Sequence, residues 1–203
     1  MIDRIKRAEE LMAFDYPYKK NGSVVAGMDE VGRGPLAGNV VTACVVMPDE
    51  PVIPWIDDSK KLSESRREKL YDEIMKHALY VGIGEVTPGE IDEINILQAT
   101  RKAMRAAASA VPADIFLIDA VTDLGLNGQE IPVIKGDTSS YSIAAASIIA
   151  KVFRDRQMIK LDALYPEYGF ARNKGYGTRE HIEALKKYGP CPLHRRSFIG
   201  HFI

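Results

Sequence analysis

The chain has 203 residues, 46% hydrophobic and 27% charged, an ordinary globular composition that excludes a fibrous or disordered protein and is long enough for one well-buried core. A net charge of −1 argues against a polyanion binder with evenly spread charge. Two cysteines, Cys44 in an apolar run and Cys191 near the C-terminus, exclude a disulfide framework and fit a reducing compartment.

The N-terminal stretch MIDRIKRAEELMAFDY carries charges every few residues, so it has neither a signal-peptide apolar segment nor a membrane span, and a cytoplasmic protein is expected. Its periodicity predicts a helix over IDRIKRAEELMAF. VVAGMD and NVVTACVVM are β-branched runs joined by a Gly-rich turn, which predicts a hairpin. SESRREKLYDEIMKHA predicts a helix with Ser63 as N-cap; Arg66 at the third position leaves the capping box incomplete. LYVGIGEV predicts a third strand, and PGEIDEINILQATRKAMRAAASAV a helix broken near Asn95. DIFLID and IPVIK predict short strands either side of a Gly/Asn turn. SIAAASIIAKVFRDRQMIKLDAL predicts a long helix with small residues for close packing, and TREHIEALKKY a last helix after a Gly-rich loop. Three early strands followed by alternating elements predict a single α/β domain with a mixed sheet.

Charge is unevenly distributed. Residues 151–203 hold eleven Lys and Arg against five Asp and Glu, a balance of +6 that leaves −7 for the first 150 residues. A basic C-terminal segment beside an acidic remainder suits a phosphate-binding surface next to a metal-binding acid cluster, although solvated helix faces give the same count.

The acids supply the second half of that pairing. Asp29 and Glu30 follow VVAGM, Asp119 ends IFLID, and Asp137 follows IPVIKG, so acids lie just beyond the carboxyl ends of three predicted strands, where open α/β sheets bind ligands. Carboxylates converging there repel one another unless cations are shared between them. Oxygen ligands without a Cys or His cluster favour Mg²⁺ or Mn²⁺, and two such ions roughly 3.5–4 Å apart suit phosphodiester cleavage. Adjacent strand residues face opposite sides, so Glu30 is expected where the strand ends, with Gly32 and Gly34 permitting the change of direction. Taken alone, the Asp-Glu pair is equally well explained as part of a hairpin turn. GRGPLAG lacks the Gly-Lys-Ser/Thr ending of a phosphate-binding Walker loop.

The ordered segments GMDEVGRGPLAG, DDSKKLSESRREKLYDEI, EIDEINILQATRKAM, FLIDA, VIKGDTSSYSIAAASIIAKVFRDR, YPEYGFARNKGYGTREHIEAL and HRRSF together resemble bacterial ribonuclease HII, the type 2 ribonuclease H, over roughly residues 5–198. The resemblance implies a ribonuclease H-like mixed five-stranded sheet flanked by helices, with residues from about 160 to 203 forming a basic helical extension. It implies an endonuclease that cuts the RNA strand of RNA–DNA hybrids and incises 5′ of single ribonucleotides in duplex DNA, using two Mg²⁺ or Mn²⁺ ions when substrate is bound and leaving 5′-phosphate and 3′-hydroxyl ends. Asp29, Glu30, Asp119 and Asp137 match the family's metal-binding, catalytic acids. Asp155 is the rival fourth acid, but its spacing from Lys151 is that of a helical ion pair.

The 2′-hydroxyl alone distinguishes a ribonucleotide from its neighbours, and the family reads it with backbone groups of a loop matching Gly32, Arg33 and Gly34 and with a tyrosine matching Tyr176. Ser59, Lys60 and Lys61 match a phosphate-contact segment that would otherwise read as a solvated loop. Ser147 and Lys151 share a helical face and are secondary candidates for substrate contact, with Ser147 equally readable as a packing residue. His194, Arg195 and Arg196 suit docking or phosphate contact, His77, His181 and His201 read as surface residues, and Trp55 reads as a loop anchor. A monomer with a replication or repair partner is compatible with all of this. A different metal nuclease on the same kind of sheet and a noncatalytic nucleic-acid binder are the competing readings; the GRG loop with Tyr176 opposes the first, and four retained carboxylates oppose the second.

Overall fold

The structure is a computed structural model and describes residues 2–203. In chain order the helices and strands are α1 (Ile2–Asp15), β1 (Val25–Val31), β2 (Val40–Val46), α2 (Glu64–His77), β3 (Tyr80–Val86), α3 (Pro88–Ser109), β4 (Ile115–Asp119), β5 (Gln129–Val133), α4 (Tyr141–Asp162), α5 (Phe170–Asn173), α6 (Arg179–Tyr188) and α7 (Arg196–Ile199). The strands form one mixed five-stranded sheet in the order β3-β2-β1-β4-β5. β1, β2 and β3 pair antiparallel as a meander, while β4 and β5 add in parallel beside β1. The expected hairpin and mixed sheet are both present.

Helices cover both faces of this sheet, which explains why β2 is buried along its whole length and reads as a continuous apolar run rather than an alternating one. On one face Ala43, Val45 and Met47 of β2 and the loop after it meet Ala144, Ile148 and Val152 of α4, with α1 and α2 beside them. On the other, Met28, Cys44 and Val46 meet Met104, Ala107 and Val111. The alanines of α4 let that helix lie close to the sheet, and Asp15 at the end of α1 accepts from Ser142 N–H at 2.9 Å, tying α1 to the start of α4. Among the described residues no helix is long and apolar enough to cross a membrane.

Local signals place the helix boundaries. Ser63 Oγ accepts from Arg66 N–H at 3.3 Å as the N-cap of α2. The break in α3 falls at Asn95, which has φ 65°, and its side chain recaps the second half by accepting from Leu97 and Gln98 N–H at 3.0 and 3.1 Å.

Two strand limits differ from expectation. β5 is Gln129–Val133, two residues earlier than IPVIK. Ile134 is 84% exposed and Lys135 is left-handed, so the chain leaves the sheet before Asp137 and carries that acid on a turn. β1 continues to Val31, because Glu30 and Val31 remain paired with Thr42 and Val41.

The segment after α4 docks against the loop between β1 and β2. Tyr168, Phe170, Ala184 and Cys191 pack with Ala37 and Met158, and Ala37 forms an isolated β-bridge with His194. This holds the last fifth of the chain beside the glycine-rich loop and the carboxyl end of β1.

Candidate active site

Sheet register brings Asp29 and Asp119 together. Met28 lies beside Ile118 in the parallel β1–β4 pair, so the next residues, Asp29 and Asp119, occupy adjacent strand ends on one face. Asp137 comes from the 3₁₀ turn Gly136–Thr138, which is tied back by Gly136 N–H donating to Asp119 Oδ1 at 2.9 Å. Carboxylate oxygens of Asp29, Asp119 and Asp137 lie within 4.8 Å of one another.

Glu30 sits inside the strand rather than beyond its end, and alternation starts its side chain on the face opposite Asp29. It flanks the three aspartates instead of joining them. Its Oε1 accepts from Arg33 Nη1 at 3.2 Å, while Oε2 is buried with no partner among the described residues.

Crowding of like charges is visible in the electrostatics. Burial, then Glu30 and Asp119, push the Asp29 carboxyl well above the usual carboxylate range. Burial also raises Glu30, with Arg33 opposing and Asp119 reinforcing the rise. Asp119 is raised by burial and by Asp137, against the Gly136 hydrogen bond. Such a cluster is costly as bare anions and is stabilised by a shared cation. Its all-oxygen donors, together with the orphaned Glu30 Oε2, fit a hard divalent ion such as Mg²⁺ or Mn²⁺.

Lys60 is the cation that reaches the cluster, with Nζ 3.1 Å from Asp137 Oδ2. Ser59 is buried at the start of the 3₁₀ turn Ser59–Lys61, which Asp58 caps by accepting from Lys60 N–H at 2.9 Å. Lys61 turns away to Asp57 at 3.3 Å. Ser147 is buried and its hydroxyl donates to Ala144 O of its own helix at 3.0 Å, the arrangement of a packing residue. Lys151 and Asp155 pair at 2.8 Å, and Asp155 is not among the clustered acids.

The loop 32–38 is held by two buried arginines. Gly32 has φ +89°, and a Cβ there would lie 2.3 Å from Arg154 Nε, so only glycine fits this approach. Arg154 donates to Ala37 O, Asn39 O and Lys174 O at 2.8–3.0 Å. Arg195 donates to Gly32 O at 2.6 Å, Arg33 O at 3.0 Å and Gly38 O at 2.7 Å. Gly34 has open space around its Cα, leaving the loop tip accessible. Tyr176 is 41% exposed, on a loop whose Gly175 O accepts from Leu36 N–H at 2.8 Å.

Sequence reading did not foresee a structural role for Arg154; its one local signal is a charge on the apolar stripe running Ser147, Ala150, Met158. It also misplaced His181, which is fully buried rather than on the surface, because residues from the C-terminal segment cover it. His201 is exposed and His77 partly so. Trp55 is clasped by Arg4 and Arg66 at 4.6 and 4.3 Å from its ring centroid, as suits a loop anchor.

Comparison with known proteins places the chain in a family. The sequence model of Ribonuclease HII matches residues 26–201. Ribonuclease HII of Caldanaerobacter subterraneus is 55% identical over 198 residues, covering 96% of this chain and 82% of the relative, and that of Geobacter metallireducens is 50% identical, covering 94% and 91%. Among solved structures, ribonuclease HII of Archaeoglobus fulgidus, determined in complex with PCNA, superposes with a TM-score of 0.74 at 27% identity, covering 85% of this chain and 94% of that one. Ribonuclease H2 of Pyrococcus horikoshii gives 0.70 at 33% identity, with 85% and 92% covered. With the family's model spanning most of the chain and close relatives matching nearly end to end, this protein belongs to the ribonuclease HII family, divalent-metal-dependent nucleases that degrade the RNA of RNA–DNA hybrids.

Proposed function

We propose that this chain, acting as a monomer, hydrolyses the RNA strand of RNA–DNA hybrids and also incises 5′ of a single ribonucleotide embedded in duplex DNA. Asp29, Asp119 and Asp137, with Glu30 at their flank, hold two Mg²⁺ or Mn²⁺ ions when substrate is bound. The convergence of three aspartates within 4.8 Å at the strand ends carries the reading. Divalent ions held by these carboxylates would supply a bound water of lowered pKa and charge to stabilise the leaving oxygen.

The chain's own residues position the substrate. Lys60, already at the cluster's edge, is placed to release Asp137 and meet a phosphate instead. The backbone of the loop Gly32, Arg33 and Gly34, exposed at Arg33 and Gly34, and the Tyr176 side chain flank the ribose whose 2′-hydroxyl marks the cut. Ser59 contributes backbone at the turn, while Lys151 is available as a secondary phosphate contact; Ser147 supports the site by packing. Eight Lys and Arg against four Asp and Glu in residues 160–203 support assigning phosphate-backbone binding to the extension they form in this single domain.

Two free, buried cysteines support a reducing, cytoplasmic setting. The PCNA complex of the Archaeoglobus relative supports a replication or repair partner. Labelled duplexes carrying zero, one or many ribonucleotides, incubated with and without Mg²⁺, test the proposal. Metal-dependent cutting of the second and third with no cutting of the first is expected; cleavage of the all-DNA duplex would indicate a different nuclease on the same sheet, and retention without cleavage a binding protein.

A further inference from the structure

Behind the Tyr176 loop lies a buried pair of histidines. Cys191 N–H donates to His194 Nδ1 at 3.0 Å, so that nitrogen carries no proton. A neutral His194 is then protonated on Nε2, which lies 3.0 Å from His181 Nε2. At the other end, His181 Nδ1 is 2.9 Å from Tyr176 O, and a carbonyl only accepts, so His181 is protonated on Nδ1. The assignments made from the two ends meet at the Nε2–Nε2 contact with one proton to share. The result is a one-way chain of hydrogen bonds from the Cys191 amide through both rings to the Tyr176 carbonyl.

Protonating His181 would put a proton on each Nε2, and protonating His194 would set an Nδ1–H against the Cys191 N–H, so either event breaks the chain. Burial opposes this: it lowers His181, and together with His181 it pulls His194 down to about 4. Tyr168 and Phe170 pack edge-on or tilted against both rings, which fixes their planes.

The chain is continuous with the glycine-rich loop. His194 bridges Ala37, its neighbour Arg195 holds Gly32 O and Arg33 O, and Gly175 O receives Leu36 N–H. One dipeptide, His194-Arg195, therefore grips both loops assigned to the ribonucleotide.

We propose that His181 and His194 are positioning residues for ribonucleotide recognition, fixing the backbone at Tyr176 relative to the Gly32–Gly34 loop through this directional relay. The inference rests on the reading of Tyr176 as a ribose contact. It matters most at a single embedded ribonucleotide, where no neighbouring register substitutes for a displaced ring.

Long-range ¹⁵N NMR of the histidine side chains tests the relay itself at neutral pH: His181 is expected as the Nδ1–H tautomer and His194 as the Nε2–H tautomer. The Nε2–H tautomer on His181, or a charged ring on either, overturns it whatever Tyr176 does. His181→Leu and His181→Asn test the consequence, since both delete the contact with His194 but only Asn retains an N–H at the position that donates to Tyr176 O. The ratio of single-ribonucleotide to continuous-hybrid cleavage is expected to fall about tenfold in His181→Leu and to recover to within about threefold of wild type in His181→Asn, as loss and retention of one hydrogen bond to a positioned group would give. An unchanged ratio in folded His181→Leu, or equal losses in the two variants, overturns the positioning role. Tyr176→Ala run beside them separates the two claims: an unchanged ratio there overturns the assignment of Tyr176 as the ribose contact, while the tautomer pattern still decides the relay.

Discussion

Replacing Asp29 or Asp119 by Asn is expected to abolish Mg²⁺-dependent cleavage while leaving binding to an RNA–DNA duplex close to wild type. Both positions sit at the meeting point of β1 and β4, and each supplies a carboxylate oxygen to the shared cluster. Asn keeps the volume and one oxygen but removes the charge that attracts a divalent ion. Duplex affinity persists because most phosphate attraction is assigned to the basic residues after 150, whose charges neither substitution removes. Loss of folding is not expected to account for the loss of activity. Asp29 is buried among like charges that raise its pKa, so deleting its charge removes repulsion, and the metal-free melting temperature of Asp29→Asn should match or exceed that of wild type. Asp137→Asn is expected to slow cleavage by about tenfold or more, the scale seen when a metal site loses a supporting group. Asp155→Asn, which breaks only the ion pair with Lys151, should cost less. Near-normal activity in Asp29→Asn or Asp119→Asn would remove the site from the cluster, and a reversed order for Asp137 and Asp155 would exchange their roles.

The largest expected effect on stability comes from Arg195→Met. The Arg195 guanidinium is fully buried and is solvated by main-chain oxygens of Gly32, Arg33 and Gly38. Burial and the neighbouring Arg154 lower its pKa to about 9, a sign of how far it has been taken from water. Met fills similar space without the donors, leaving buried carbonyls unpaired at about 1–3 kcal/mol each. With the Gly32 and Gly38 carbonyls buried at these contacts, a loss of about 2–6 kcal/mol is therefore expected. Arg195→Lys should fall between, because an ammonium cannot span three carbonyls with the planar fork of a guanidinium. Urea unfolding followed by circular dichroism measures this as a lower midpoint with an unchanged slope. A midpoint shift worth less than about 1 kcal/mol would show that the loop finds other donors.

How much of this was legible in the sequence depends on whether the cause is local. Ser63 and Asn95 were readable because each acts on backbone within three residues of itself. Asp29, Asp119 and Asp137 were readable as strand-end acids because β-branched runs precede them, and the family motifs matched the same positions. Glu30 was misplaced because the apolar pattern stops at Asp29 while ladder hydrogen bonding to β2 runs two residues further, a tertiary fact. The end of β5 was misjudged for the opposite reason: Ile134 continues an apolar run, yet it faces solvent. Arg154 and His181 are buried by partners distant in sequence or by the fold of the C-terminal segment, and no periodicity signals their roles; for Arg195 the family motif left docking and phosphate contact both open, and its burial decides for docking. Residues whose role is to hold the glycine-rich loop thus needed the fold, whereas residues whose role is to carry charge did not.

The most direct measurement is the chemistry of the ends produced from a DNA duplex containing one ribonucleotide. Attack by water held at the acid cluster requires Mg²⁺ or Mn²⁺ and predicts a cut on the 5′ side of the ribonucleotide, a 3′-hydroxyl on the upstream fragment and a 5′-phosphate on the ribonucleotide itself. A cut on the 3′ side leaving a 2′,3′-cyclic phosphate, formed with the metal chelated away, would mean that the 2′-hydroxyl is the nucleophile and would contradict the role given to Asp29, Asp119 and Asp137.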